Sequence, residues 1–239
     1  MNRNCSACNI KKDKNNCKKY RTVCRTCYNK KKRKNNKITS YHQPKIENVS
    51  NNNNKNRTLI LGFSNCGKTY LMNHILFKKH EPILIISKSL NQYPNIKDQT
   101  SDENQSLENY ENSVVVDDML LSKQETNIDP FFTRSRHKSI DIYYISQSYF
   151  HLNKNTFRNN SNIIILLKQT LRDIILLFHD IAGLGMNLEE WKQLCRKAWE
   201  NDYDYLRIDR FAKIGEGRYT IRNCFKNTYI ECTPETKPF

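Results

Sequence analysis

The residues with the clearest potential for chemistry lie between two glycines at residues 62–69. This segment, GFSNCGKT, fits the phosphate-binding pattern G-x-x-x-x-G-K-[ST]. A short apolar strand precedes it and an amphipathic helix follows, so backbone N–H groups and a helix N-terminus would point at a phosphate. Unless the pattern is a chance glycine turn, we expect Lys68 to contact the β- and γ-phosphates of ATP and Thr69 to hold Mg²⁺. The predicted nucleotide-binding residues are Gly62, Phe63, Ser64, Asn65, Cys66, Gly67, Lys68, Thr69 and Tyr70.

Two acidic residues follow a second apolar strand, in the sequence SVVVDD at residues 113–118. A phosphate-binding loop needs a carboxylate at the end of a neighbouring strand to hold the metal, and we assign that role to Asp117. Asp118 would orient or deprotonate the attacking water. The strand predicted at residues 82–87 allows a strand to be inserted between the loop strand and the acidic one, which favours hydrolysis-coupled motors over small signalling GTPases. The alternative is that the two acids merely begin a turn.

Polar and basic residues surround a third apolar strand, predicted at residues 141–147. Gln147 lies at the polar carboxyl end of this strand. In an open α/β sheet that end is near the γ-phosphate of a bound nucleotide, so Gln147 is a sensor candidate. Arg134 and Arg136 lie just upstream and could neutralise transition-state charge in a neighbouring subunit, although either could be a plain surface cation. Arg158 and Arg172 are weaker candidates for the same role. The predicted catalytic residues are therefore Lys68, Asp118, Gln147, Arg136 and Arg134.

The elements that must position these residues alternate between apolar strands and helical stretches. Further strands are predicted at residues 58–61 and 162–167, and helices at residues 69–79, 171–181 and 188–200, the last with Asn187 and Glu190 as an approximate capping box. Antiparallel strands are predicted at residues 203–208, 218–222 and 228–232, around a turn at residues 215–217. The expected fold is an α/β domain with a mainly parallel sheet flanked by helices, C-terminal antiparallel strands and a small N-terminal module.

Charge divides the chain into a basic arm and a nearly neutral body. Residues 1–57 carry 17 Lys and Arg against two acids, whereas the whole chain has a net charge of +16. Such an arm is typical of a polyanion partner such as nucleic acid, although a solubilising tail would look similar. No apolar run is long enough to span a membrane, and no secretory signal is evident, so we expect an intracellular, reducing setting.

Paired cysteines mark the beginning of the chain. Cys5 and Cys8 are separated by fifteen residues from Cys24 and Cys27, a spacing that fits a four-cysteine zinc site. Few residues there could form a core, so Zn²⁺ would have to fold the module. Cys17 has no partner at this spacing and is treated as an extra cysteine. The alternative is a disordered tail that carries cysteines. A basic run at residues 28–34 could contact phosphates or serve as a nuclear localisation signal. We predict a zinc module at 1–34, an Asn-rich flexible linker at 35–57 and an ATPase domain at 58–239.

Three stretches resemble the FtsK/HerA superfamily, and within it the genome-packaging ATPases of poxviruses, other large DNA viruses, virophages and Maverick/Polinton-type elements. They are GFSNCGKTYL, VVVDD and TRSRHKSIDIYYISQSYF. The resemblance implies a P-loop fold, a homo-oligomeric ring and an arginine acting in trans, which falls on Arg136 first and Arg134 second. It also implies double-stranded DNA as substrate, capsid proteins as possible partners, and a host nucleus, cytoplasmic virus factory or virion as the location. Asp118 departs from the glutamate that the superfamily usually has.

Two other functions remain open from the sequence. One is a zinc-dependent nucleic-acid-binding protein whose P-loop only senses nucleotide. The other is a helicase or conjugation-type DNA pump, because an ATP site alone does not distinguish these machines.

Overall fold

The computed structural model describes residues 45–46, 56–77, 82–94, 96, 99–100, 107, 110, 113–117, 128–137, 140–183, 185–224 and 228–232. These residues belong to a compact unit that spans Ser40–Phe239. The predicted cysteine module, the basic run after it and Asp118 lie outside the described residues.

The strands are short, and five of those described are fully buried. Within the described residues they are β1 Lys45–Ile46, β2 Arg57–Leu61, β3 Ile83–Ser87, β4 Gln99–Thr100, β5 Ser113–Asp117, β6 Ile142–Ser146, β7 Ile163–Leu166, β8 Asp204–Asp209, β9 Tyr219–Asn223 and β10 Thr228–Glu231. Every residue of β2, β3, β5, β6 and β7 is buried, as expected for parallel strands covered on both faces. The strand β1 falls inside the stretch predicted to be a linker and pairs with β10.

Four α-helices lie among the described residues, together with shorter helical turns. They are α1 Lys68–Phe77, α2 Ile128–Arg134, α3 Leu171–Leu177 and α4 Leu188–Ala198. The single helix predicted at residues 171–181 is instead α3 followed by a π-helical turn, Phe178–Ala182. The predicted capping box of α4 is present: Asn187 Oδ1 accepts from the Glu190 N–H, and Glu190 Oε2 accepts from the Asn187 N–H at 2.8 Å. None of the helices among the described residues combines the length and apolarity needed to cross a bilayer.

The described strands form one sheet in the order β1-β10-β9-β8-β7-β2-β6-β5-β3-β4. Strands β7, β2, β6, β5, β3 and β4 are parallel, while β8, β9, β10 and β1 continue the sheet in antiparallel pairs. The predicted α/β fold with C-terminal antiparallel strands is therefore confirmed. A strand is inserted between the loop strand β2 and the acidic strand β5, but it is β6; the strand that we expected to allow this insertion, β3, lies on the far side of β5.

Helix α1 covers one face of the sheet next to the loop. Leu71, Met72 and Leu76 are at most 3% exposed and pack with Ile60 and Ile145 in the main hydrophobic core. On the opposite face, ring contacts join Phe132, Tyr144 and Phe157, and α2 also buries Ile128 and Phe131. Burial on both faces fixes the carboxyl ends of β2, β5 and β6 at a single edge of the sheet.

Candidate nucleotide-binding site

The loop at residues 62–69 joins the end of β2 to the start of α1. Asn65 and Gly67 adopt positive φ values of 62° and 93°, which turn the backbone into the helix. At Gly62 the constraint is space, because a Cβ atom there would overlap Cys66 Sγ and lie 3.0 Å from Leu167 Cβ. The two glycines of the motif therefore serve different purposes, one for conformation and one for close packing.

Backbone hydrogen bonds attach this loop to both neighbouring strands. The Gly62 N–H donates to Ser146 O at 3.2 Å, and the Phe63 N–H donates to Lys168 O at 3.1 Å. Lys68 Nζ donates to Phe63 O at 3.0 Å, so its ammonium group lies across the mouth of the loop. A lysine held there, beside backbone N–H groups at a helix N-terminus, is suited to bind phosphate oxygens.

The opposite side of the cleft holds a buried carboxylate. Asp117, at the end of β5, is 6% exposed and accepts a 2.7 Å hydrogen bond from the Tyr93 hydroxyl. The Thr69 side chain lies beside this hydroxyl as well, so one phenol neighbours both predicted Mg²⁺ ligands. Burial, and then the charge of Asp117, raise the pKa of Tyr93 and keep it a neutral donor. A hydroxyl and a carboxylate that line one cleft provide the oxygen ligands that Mg²⁺ prefers.

Tyr93 was not foreseen from the sequence. It follows a 3₁₀ helix, Leu90–Gln92, after β3, and its aromatic ring is fully buried. A tyrosine in a polar connection carries no recognisable motif. The one available signal was a large aromatic residue in an otherwise polar stretch, which favours burial but does not name a partner.

The loop after β6 is fixed by side chains from the start of α3. Gln169 Nε2 donates to Gln147 O at 3.0 Å, and Asp173 Oδ1 accepts from the Phe150 N–H at 2.8 Å and from Ser148 Oγ at 3.1 Å. Asp173 is 1% exposed. These contacts hold the backbone of Gln147 while leaving its side chain exposed to the cleft.

A single cleft of about 620 Å³ brings six of the predicted residues together. Ser64, Asn65, Lys68 and Thr69 line it from the loop, Asp117 from β5, and Gln147 from the end of β6. Ser89, Gln92 and His151 also line this cleft, and sequence reasoning did not identify them. The cleft lies at the carboxyl edge of the parallel strands, where open α/β sheets bind ligands.

The predicted arginines lie elsewhere in the fold. Arg134 is exposed at the end of α2 and is not among the described residues that line the cleft, and Arg136 lies in the short 3₁₀ helix Ser135–His137, with its side chain outside the described atoms. Arg158 forms an ion pair of 2.9 Å with Asp180, and Arg172 stacks at 3.4 Å over the Phe150 ring. The contacts of Arg158 and Arg172 indicate structural roles in this chain.

Cys66 lies in the loop with its thiol partly shielded from water. Burial raises the pKa of Cys66, while the nearby Lys68 charge acts in the opposite direction. A protonated, shielded thiol is a poor nucleophile and a poor redox switch.

Among the residues that the structure describes, no three His, Cys, Asp or Glu side chains are grouped to hold a metal. Cys5, Cys8, Cys24 and Cys27, the predicted Zn²⁺ ligands, lie outside those residues. The zinc assignment therefore stays a prediction.

Comparison with solved structures places the fold. No protein-family model matches the sequence, and a search of curated proteins finds no match. The genome-packaging NTPase B204 of Sulfolobus turreted icosahedral virus 2, solved with ATP-γS, is similar to this chain with a TM-score of 0.52 and 14% identity, over 76% of this chain and 99% of B204. B204 of Sulfolobus turreted icosahedral virus, described as a DNA-packaging ATPase, gives 0.49 and 13%, over 75% and 98% of the two chains. At such identity the first likeness establishes the fold: the body of this chain is a P-loop α/β domain of the B204 type.

Proposed function

We propose that this chain hydrolyses ATP to translocate double-stranded DNA, and that it packages a viral or virus-like-element genome into a capsid. The observation that carries the proposal is the cleft that unites Lys68, Thr69, Asp117 and Gln147 at the carboxyl edge of the sheet. The similarity to B204, a genome-packaging NTPase, supports the same assignment.

Each residue of the cleft has a distinct role in the proposed hydrolysis. Lys68 exchanges its bond to Phe63 O for the β- and γ-phosphate oxygens, and the loop N–H groups bind the phosphates. Thr69 and Asp117 would hold Mg²⁺, which neutralises charge on the phosphates when bound. Gln147 contacts the γ-phosphate and orients water, and Asp118 accepts the proton of that water. An arginine of a neighbouring subunit, Arg136 or Arg134, completes the site in a ring.

ATP turnover with and without double-stranded DNA tests this function. We expect DNA to stimulate the wild-type rate, and Lys68→Ala and Asp118→Asn to lower it by about 100-fold or more, since each removes charge or a base from the transition state. Lys192→Ala, on the far helix α4 and paired with Glu189 at 3.2 Å, is the matched lysine control and should keep full activity. Unchanged turnover in both site variants would refute the proposal.

A different outcome would favour the second function. Nucleotide binding without turnover, together with DNA binding that survives Lys68→Ala, would indicate a nucleic-acid-binding protein that senses nucleotide.

We also propose that Cys5, Cys8, Cys24 and Cys27 bind one Zn²⁺ and that the basic arm contacts DNA or a partner such as a capsid protein. Metal analysis of the purified full chain should find one zinc per chain, and replacing Cys5 and Cys8 with Ser should abolish it.

A further inference from the structure

Two exposed tyrosines pack together beside the nucleotide loop. Tyr70 and Tyr203 are 48% and 49% exposed, and their ring centroids lie 5.4 Å apart with an interplanar angle of 47°. Large aromatic side chains are usually buried, because their exposure to water is unfavourable. A pair of tyrosines that each keep about half of their residue surface in solvent offers apolar surface to a flat ligand.

The position of the pair relative to Asp117 is set by the order of the strands. Tyr70 is the residue after Thr69, and Tyr203 comes directly before β8. Strand β8 pairs with β7, which flanks β2 on the side away from β6 and β5. The two rings therefore lie on the side of the loop opposite to Asp117.

Tyr203 is also held in a conformation that tyrosine rarely adopts. Its φ is 65°, in the left-handed region that Gly and Asn occupy at lower cost. Surrounding bonds pin it there: Tyr203 O accepts from the Cys224 N–H at 3.2 Å, and Asn223 Nδ2 donates to Asp202 O at 3.2 Å. Residues that retain an unfavourable backbone conformation are concentrated at ligand sites.

We propose that Tyr70 and Tyr203 form the subsite for the purine base of the nucleotide, an inference that rests on the proposed ATP site. Lys68, Thr69 and Asp117 fix the terminal-phosphate end of the ligand on the β5 and β6 side of the loop. The base, covalently joined to the other end of the phosphate chain, extends away from Asp117 and meets the tyrosine pair. Stacking on an aromatic face is open to any base and is stronger for the larger purines.

Comparing ATP with inorganic tripolyphosphate separates this subsite from the phosphate loop. Dissociation constants of both are measured by calorimetry with Mg²⁺ for the full chain and for Tyr70→Ala, Tyr203→Ala and Tyr203→Asn. We expect ATP to bind about 5- to 100-fold more weakly in each variant, and tripolyphosphate to bind as in the wild type. Phe211→Ala removes a ring that is 77% exposed between β8 and β9, and should alter neither affinity.

Tyr203→Asn gives a second readout that a structural role would not produce. Asn relieves the strained backbone, so the melting temperature should stay at or above that of the wild type while ATP affinity falls. Unchanged ATP affinity in the tyrosine variants, or equal losses for ATP and tripolyphosphate, would overturn the subsite and leave the ATPase proposal standing. Selective loss of ATP binding in a protein without turnover would support the subsite and refute the ATPase.

Discussion

The Tyr93 hydroxyl lies 2.7 Å from Asp117 Oδ2 and donates to it a hydrogen bond shielded from water. This hydrogen bond connects β5 to the segment after β3, and the Thr69 side chain of the loop lies beside the same hydroxyl. A hydrogen bond to a buried charged group contributes more than one between neutral groups. Tyr93 is therefore a positioning residue for Asp117, one of the two proposed metal ligands.

Removing the Tyr93 hydroxyl tests how much it stabilises the fold. Tyr93→Phe should lower the free energy of unfolding by about 1.5–3 kcal/mol, because Asp117 loses a buried donor. The measurement is urea unfolding of the full chain without nucleotide. The double-mutant cycle with Asp117→Ala isolates the pair, and additive effects of the two substitutions would contradict the coupling.

Buried tyrosines should make the protein sensitive to alkaline pH. Burial, and then a nearby carboxylate, raise the pKa values of Tyr93, Tyr144 and Tyr149 above the ordinary value of 10. Above pH 10 the unfolded chain releases these phenolic protons while the folded chain keeps them, so the unfolded state binds fewer protons and stability falls as pH rises. The stabilisation is complete below pH 10 and is lost as the pH rises above it.

The slope of this loss is measurable. Each such tyrosine should lower the free energy of unfolding by about 1.4 kcal/mol per pH unit above pH 10. Denaturant titrations from pH 8 to pH 11.5 provide the curve. Tyr93→Phe and Tyr144→Phe should each make it shallower by one such increment, and an unaltered slope in both would show that these phenols ionise normally in the fold.

Close packing at Gly62 predicts a specific rescue. Gly62→Ala places a methyl group against Cys66 Sγ, so the loop must shift and ATP affinity should fall by about tenfold or more. Cys66→Ala removes the sulfur and should restore part of that affinity in the double variant. Gly67→Ala is the comparison. A Cβ atom at Gly67 would meet nothing within 4 Å, but the φ of 93° there is unfavourable for alanine and strains the backbone. Cys66→Ala should therefore not restore ATP affinity to Gly67→Ala.

Removal of the Asp173 carboxylate should lower both the stability of the fold and the rate of turnover. Asp173→Ala leaves the Phe150 N–H without its acceptor and should lower the free energy of unfolding by about 2–3 kcal/mol. Turnover should fall as well, because the loop that carries Gln147 loses its anchor. Glu216→Ala, in an exposed ion pair with Lys213 at 3.8 Å, is the control and should change stability by less than about 0.5 kcal/mol. Wild-type turnover in Asp173→Ala would show that this anchor is dispensable.

Much of the fold was accessible from the sequence because its signals are local. Apolar runs of four to six residues bounded by polar residues gave the parallel strands, and the motif at residues 62–69 gave the loop with its flanking strand and helix. Asp117 and Gln147 could be assigned to the cleft since strand ends in a parallel sheet share one edge.

Other features depend on contacts between distant residues, which no local pattern records. Parallel strands buried on both faces look alike in sequence, so the placement of β6 between β2 and β5 could not be read from their composition. Tyr93 reaches Asp117 across 24 positions, and Asp173 reaches Phe150 across 23. Each pairing depends on how the segments that connect the strands pack, and the secondary-structure propensities of the residues carry no information about that packing.

The short segment from Lys168 to Asp173 has a mechanical consequence. Lys168 O accepts from the Phe63 N–H, Gln169 holds the Gln147 carbonyl, and Asp173 holds the Phe150 N–H. The phosphate loop and the loop after β6 thus share one anchoring stretch of backbone. Under the proposed function, a shift of either loop on release of the terminal phosphate would be passed through residues 168–173 to the other loop and to α3.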